Sequence, residues 1–380
     1  MAAIRWKVAV NKAYESVLVV CTRRIGDVLL ATPVIRSLKA AAPHTAIDML
    51  VFSGTEDVVA ANPDIRRVWT IPTRASVRES LTLLSKIWRR YDLALSVLPG
   101  DRPVFYVWAA GRRSVATVTP ERKSWWKRLL LDAQESFDSY DTHTVSMNLR
   151  LLKLLGVPAI ATPVVTWAAV DEVAARAVFP GMEGSERYAV LHVTPKFVYK
   201  AWTVSGWAML GRWIRDCGLK VVVVGGTSAD ERVTVARILE GLPSDVINLT
   251  GLVTLRALGS ILSRAALYVG TDTAVTHMAA ALGVPTIALF GPSNPVKWGP
   301  WPNDWPADSP SPWKKAGSQR QGNVYVLQGE GDCVPCLHEG CGRHVSSVSD
   351  CLQQLPVRRV IEVAEQMLPR QHRHPAIVEA

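Results

Sequence analysis

The chain has 380 residues, 48% of them hydrophobic and 20% charged, with a formal net charge of +10. These values exclude a disordered, fibrous or multi-spanning membrane protein, and the length favours two cores over one. The positive balance points to an anionic partner: nucleic acid, nucleotide, phosphorylated glycolipid or acidic membrane surface.

The opening "MAAIRWKVAVNKAYESVLVV" breaks its apolar runs with Lys and Glu before an h-region develops, so no signal peptide is expected. No segment approaches the roughly 18–20 apolar residues of a membrane span. The expected location is the cytoplasm, at most peripheral on a membrane. "SVLVVC" (16–21) predicts a buried strand and "VLLATPVIRSLKAAAP" (28–43) a helix. "AIDMLVF" (46–52) is a strand, followed by a helix from about Glu56. "VWTI" (68–71), a helical stretch to Arg90 and "LALSVL" (93–98) complete the first block. This β-α-β-α order predicts a mostly parallel sheet with helices on both faces.

At the joint of the first strand and helix stand Arg23, Arg24, Gly26 and Asp27. Asp27 reads either as a helix cap or as a carboxylate that deprotonates an acceptor hydroxyl, with Arg23 and Arg24 holding acidic groups of that acceptor. Further on, "GRRSVATVTPERKSWWKRLLLD" surrounds Trp125 and Trp126 with Arg112, Arg113, Arg122, Lys123, Lys127 and Arg128. That composition suits an anionic lipid interface or a phosphorylated acceptor, and equally a solvated helix with one buried face. Nucleic-acid binding is not expected, because none of its signatures is present.

The Pro- and Gly-bounded stretch around 156–187 marks a linker. It sets an N-terminal domain at 1–165, the linker at 166–186 and a C-terminal domain at 187–380. The second block repeats the scheme with "YAVLHV" (188–193), a helix from Val204 to Cys217, "KVVVVGG" (220–226), a helix from Asp230 to Leu242, and "VINLTG". Two such Rossmann-like halves predict a ligand cleft between the carboxyl ends of both sheets.

"YVGTDTAVTHMAAALGVPTIALFG" (268–291) follows. Thr273 is an N-cap candidate. The N–H groups around Ala274 to Thr276, with the helix dipole, form an anion site suited to a diphosphate. Thr273 and Thr276 add hydroxyls, His277 shares the face of Thr273, and Asp272 is assigned to sugar hydroxyls beside the phosphate. The same pattern fits a capped structural helix with a core histidine. After a Pro- and Trp-rich loop come Cys333, Cys336, Cys341 and Cys351, a possible structural zinc or iron site of irregular spacing or simply structural thiols.

"RRIGDVLLATPVIRSLKAAAP", "VGTDTAVTHMAAALGVPTIALFGPSNPVKWGPW" and the later "CVPC" together resemble glycosyltransferase family 9, the bacterial heptosyltransferases of the lipopolysaccharide inner core. The resemblance runs from about residue 16 to 365. It implies the GT-B fold, α/β with two Rossmann-like domains whose mostly parallel sheets face across a cleft. It further implies Asp27 as general base, Asp272, Thr273 and His277 in the donor motif with Ala274 where the family often has Gly, and Lys200 on the donor diphosphate. Thr194, Gly225, Gly226 and Glu231 (or Asp230) fall in the donor loops. The implied partners are ADP-heptose, an anionic glycolipid acceptor and the inner face of the cytoplasmic membrane. No D-x-D triplet occurs, so no metal is expected for catalysis, and the leaving diphosphate falls to Lys200 and the helix at 273–276. Rival readings are a family member with another sugar nucleotide or acceptor, and a non-catalytic nucleotide or glycolipid binder of the same fold.

Overall fold

The computed structural model describes residues 14–368, apart from the side chain of Arg122. The chain divides into two compact units, one comprising the residues up to Val164 with Pro306–Ser311, the other Val165–Trp305 and the chain from Pro312 on.

In the first unit β1 (Ser16–Cys21) leads through α1 (Ile25–Leu29) and α2 (Thr32–Ala41) to β2 (Ala46–Phe52) and β3 (Arg67–Ile71). Then come α3 (Val77–Ile87), β4 (Tyr91–Ser96), α4 (Asp101–Ala110), β5 (Gly111–Val118), α5 (Lys127–Leu130), β6 (Ala133–Ser136) and α6 (Thr144–Leu155). The strands form one parallel sheet in the order β3-β2-β1-β4-β5-β6. Val17–Cys21 is apolar and buried throughout, as a central strand covered on both faces must be. Leu18, Val20, Leu50, Ile87, Tyr91 and Val107 centre the core beneath α3 and α4.

Two expected helices differ. The run 28–43 is two helices, because Pro33 has no N–H to continue from α1 and instead sits in the first turn of α2, where Thr32 Oγ1 donates to the Leu29 carbonyl at 2.7 Å. The helix expected from Glu56 is only the single 3₁₀ turn Glu56–Val58. Pro63 forces the residue before it out of helical geometry and ends the stretch.

The second unit opens with α7 (Ala169–Val178), so the stretch expected as linker at 166–186 is itself helical and packs on a helix of this unit, α10. It continues with β7 (Tyr188–His192), α8 (Val204–Asp216), β8 (Lys220–Val224), α9 (Ala229–Glu240), β9 (Ile247–Asn248), α10 (Leu255–Leu262), β10 (Leu267–Thr271), α11 (Ala274–Ala281) and β11 (Thr286–Phe290). α12 (Pro295–Trp298), β12 (Gln319–Gln321), β13 (Val324–Gln328), α13 (Asp350–Gln353) and α14 (Val357–Met367) complete it. The sheet order is β12-β13-β11-β10-β7-β8-β9, parallel except for the antiparallel edge strand β12. Trp202, Trp207 and Trp213 fill the core on one face of it, and Phe290 and Trp313 on the other.

Counted from the first strand of each unit, the sheets run 3-2-1-4-5-6 and 3-2-1-4-5-7-6, so both reverse between their first and fourth strands. In such sheets ligands bind beyond the carboxyl ends at the point where the order reverses. Those points are the ends of β1 and β4 in one unit and of β7 and β10 in the other.

Candidate active site

In the second unit the reversal point carries a dense polar group. Asp272 follows β10 directly, and its carboxylate accepts from Lys200 Nζ at 2.5 Å, the ammonium also reaching the Asp272 carbonyl at 3.4 Å. Burial alone would raise the Asp272 pKa, but the Lys200 charge, then His277, and hydrogen bonds from Lys200 and Ser293 hold it below the usual carboxylate value. Lys200 and Asp272 are thus one buried ion pair, a linkage that their separate assignments to phosphate and sugar did not anticipate.

Thr273 stands at the N-cap of α11, yet its side chain does not cap. Its hydroxyl is 3.2 Å from His192 Nδ1 and 3.2 Å from Thr276 Oγ1. Thr276 Oγ1 donates to the Thr271 carbonyl at 2.5 Å and lies 2.9 Å from the Tyr268 hydroxyl. With Thr276's one proton spent on Thr271, all contacts are satisfied if Tyr268 and Thr273 donate to Thr276 and His192 Nδ1–H donates to Thr273. That order leaves His192 Nε2 as an acceptor. It also leaves the first-turn N–H groups at Ala274–Thr276 uncapped by Thr273, which suits an incoming anion.

Burial lowers the pKa of both His192 and His277 to about 4, so both rings are neutral at pH 7. The unfolded state then binds more protons between about pH 4 and 6.5, and stability rises with pH across that window. Urea unfolding at pH 4.5 and 7 is expected to show this rise, on the order of 3 kcal/mol per ring at most. Replacing His192 by Asn should remove its share of the rise and leave that of His277.

The remaining donor-loop residues converge on the same sheet edge. Thr194, past β7, is buried with its hydroxyl unpartnered among the described residues, as are the hydroxyls of Thr250 and Thr271 and Nδ1 of His277. A Cβ at Gly225 would meet Thr194 Oγ1 at 2.9 Å, and one at Gly226 would strike the Glu231 carboxylate. Glycine there keeps the backbone open to close approach. Glu231 itself is engaged in a capping box, accepting from Ser228 Oγ at 2.7 Å at the start of α9. Sequence reasoning missed His192, Thr250 and Ser293. A histidine closing the otherwise apolar "YAVLH" was the available signal for the first.

In the first unit Asp27 lies in the short α1 just beyond β1, 8% exposed. Burial raises its pKa, while Arg23 (Nε to Oδ1 3.6 Å), Arg24 and backbone N–H groups of Arg24 and Asp27 lower it without cancelling the rise. The same burial, with Asp27 nearby, pushes the Cys21 thiol up. Arg23 and Arg24 are exposed beside Asp27.

The expected acceptor cations do not form one group. Arg112 and Arg113 begin β5, level with Asp92 and Leu93, hence at the amino-end edge of the parallel sheet, opposite the Asp27 loop. Arg112 pairs with Asp92 at 3.6 Å. Lys123 follows β5 at the carboxyl-end edge, exposed and paired with Glu121 at 2.8 Å; the side chain of Arg122 lies outside the described residues. Lys127 turns inward, buried, to Asp101 at 2.8 Å and the Pro99 carbonyl at 2.6 Å.

Among the described residues no set of three or more His, Cys, Asp or Glu side chains is placed to hold a metal ion, and Cys333, Cys336, Cys341 and Cys351 are free thiols. Cys351 packs against the core beside Leu352, and its burial, followed by the neighbouring Cys336, Cys341 and Cys333, raises its pKa to about 11. Cys333 and Cys341 are exposed.

The sequence profile of glycosyltransferase family 9 (heptosyltransferase) matches residues 105–316, more than half of the chain. The chain belongs to glycosyltransferase family 9. This family 9 protein is 28% identical to lipopolysaccharide heptosyltransferase 3 of Escherichia coli (strain K12) over 286 residues, covering 73% of this chain and 82% of that one. Its fold matches the glycosyl transferase family 9 structure from Veillonella parvula with a TM-score of 0.74 at 20% identity, covering 93% and 97% of the two chains. It matches E. coli heptosyltransferase WaaC with ADP-2-deoxy-2-fluoro heptose with a TM-score of 0.65 at 20% identity, over 92% and 99%. The fold is therefore GT-B, and the family 9 member is a glycosyltransferase.

Proposed function

We propose that this glycosyltransferase moves L-glycero-D-manno-heptose from ADP-heptose to the lipopolysaccharide inner core, with inversion and without a catalytic metal or cofactor. The observation that carries the reading is chemistry at the reversal points: the Lys200–Asp272 pair and the start of α11 in one unit, Asp27 in the other. Residues 1–165 take the acceptor and 187–380 the nucleotide sugar. The names of the relatives, a lipopolysaccharide heptosyltransferase and a heptosyltransferase with an ADP-sugar analogue, support the donor and acceptor classes.

In this mechanism the acceptor hydroxyl gives its proton to Asp27 as its oxygen attacks the anomeric carbon. The bond from that carbon to the diphosphate oxygen breaks, and ADP leaves with the electron pair. Lys200 and the first-turn N–H groups of α11 meet the charge that develops on the leaving oxygens. Neutral His192 fixes Thr273 at that turn. The absence of a D-x-D triplet from the sequence is why the metal-free route is preferred. The enzyme works in the cytoplasm, peripheral to the inner membrane.

The test is incubation with ADP-heptose and a heptose-free lipid A–Kdo acceptor, with and without EDTA, following ADP release and acceptor mass. Transfer that survives EDTA is the expected result. Binding of ADP-heptose by calorimetry without transfer would move the acceptor to a later core intermediate, and no binding would sink the donor assignment.

A further inference from the structure

α3 carries two apolar faces where a surface helix needs one. Leu83 and Ile87 enter the core. Val77, Leu81, Leu84 and Trp88 recur at i, i+4, i+7 and i+11, which stacks them along a different side. Leu84 is half-buried, but Val77 is 77% exposed, Leu81 60% and Trp88 53%. The strip continues onto α4: the Trp88 ring meets Trp108 edge-on at 5.7 Å, and Trp108 meets the exposed Phe105 at 5.5 Å. Scattered exposed apolar residues need no explanation, whereas a contiguous aromatic and aliphatic strip marks an interaction surface.

The charge around the strip says what kind of surface. Arg74, Arg78, Lys86, Arg89 and Arg90 stand against the single acid Glu79 in residues 74–90. Glu79 is itself engaged in the Ser76 cap that starts α3. Arg89 lies over the Trp108 ring at 5.8 Å and donates to the Gly111 carbonyl at 2.8 Å. The chain places Arg112 and Arg113 immediately after that carbonyl, which gives these cations, remote from the Asp27 loop, a second context.

We propose that the α3–α4 face docks on an anionic lipid bilayer, the Trp and Leu side chains entering the headgroup–acyl boundary and the cations meeting lipid phosphates. Indole rings and long cationic side chains are the residues suited to that boundary. A second copy of the chain is the poorer occupant, because it would bring the same cations together. The proposal rests on the glycolipid-acceptor reading only in that a lipid-anchored substrate gives docking a use.

The test is co-sedimentation of the full chain with phosphatidylglycerol-containing vesicles and with pure phosphatidylcholine vesicles. The parent protein should partition onto the anionic vesicles and release as salt rises. Leu81→Ser/Trp88→Ser should lower partitioning by at least ~10-fold. Arg78→Glu/Lys86→Glu should lower it by about fivefold or more per charge, on anionic vesicles only. Trp125→Ser/Leu129→Ser, outside this strip, should partition as the parent. Melting temperatures and transfer to a detergent-dispersed acceptor should match the parent in all of these variants. Parent-like vesicle binding by both strip variants would overturn the proposal, as would a parent dimer, seen by sedimentation velocity, that the same variants dissociate. Vesicle binding that behaves as expected in a protein that transfers no heptose would support the face and count against the heptosyltransferase reading alone.

Discussion

Asp27→Asn should lower kcat by about 10²–10⁴-fold while leaving ADP affinity as it is in the parent protein. The substitution keeps shape and removes only the proton acceptor, and Asp27 lies in the unit that carries none of the predicted donor residues. Burial raises the Asp27 pKa above the usual carboxylate value despite Arg23 and Arg24, so the acid limb of the kcat profile should lie above that of an ordinary Asp. A base with a raised pKa is also the stronger proton acceptor at neutral pH. The stability sign runs the other way from activity. Between the unfolded and the raised folded pKa the folded state holds more protons, so the stability of the parent falls as pH rises through that window. The Asn variant should therefore melt no lower than the parent at pH 7, with its relative advantage growing as pH rises across the window. An unchanged kcat would remove Asp27 as base and leave it as an acid in the first turn of α1.

The second large effect is expected at the Lys200–Asp272 pair. The two side chains are 18% and 8% exposed. Removing one partner leaves a poorly solvated charge, so Lys200→Met and Asp272→Ala should each cost about 3–5 kcal/mol of stability. Lys200→Met/Asp272→Leu, which removes both charges, should recover much of that loss. Activity should behave differently: the two variants that lack Lys200 are expected to lose about 10²–10³-fold in kcat, because the cation that meets the departing diphosphate is gone. Recovery of activity along with stability in the double variant would make the pair a purely structural tie. The pH dependence is opposite in sign to that of Asp27. With the folded pKa of Asp272 depressed, its stabilisation is complete above the unfolded value of about 3.9 and is lost as pH falls through the folded value.

Much of this was legible in the chain itself. Strand existence follows from short runs such as "SVLVVC" and "KVVVV", whose burial on both faces demands continuous apolar sequence. The joint at 271–277 is legible because threonines, an acid and a histidine between two apolar strands exceed what a turn needs. The Gly-Asp pair at 26–27 is legible by the same contrast, and Lys200 through family resemblance rather than local pattern. Helix interruption at Ala31 was readable in principle from Pro33, since a missing N–H is a local property. The shortness of the Glu56 turn was less so, because its end depends on where the chain must turn back to the sheet.

Tertiary structure decided the rest, and the reason is range. Side-chain period and propensity act over a few residues, whereas strand order and register depend on which faces bury together once distant segments meet. The reversal of strand order in the second sheet sets β7 beside β10, and only then does His192 reach Thr273, 81 residues on, and Lys200 reach Asp272, 72 residues on. The same register sends Arg112 and Arg113 to the edge opposite Asp27, although all are basic or acidic residues at strand–loop joints. Packing likewise sets Cys351 against the core beside Leu352, which the spacing of the four cysteines does not show. Composition and local pattern thus determined the class, the strands and the chemical inventory, while long-range packing determined which of those groups share a site.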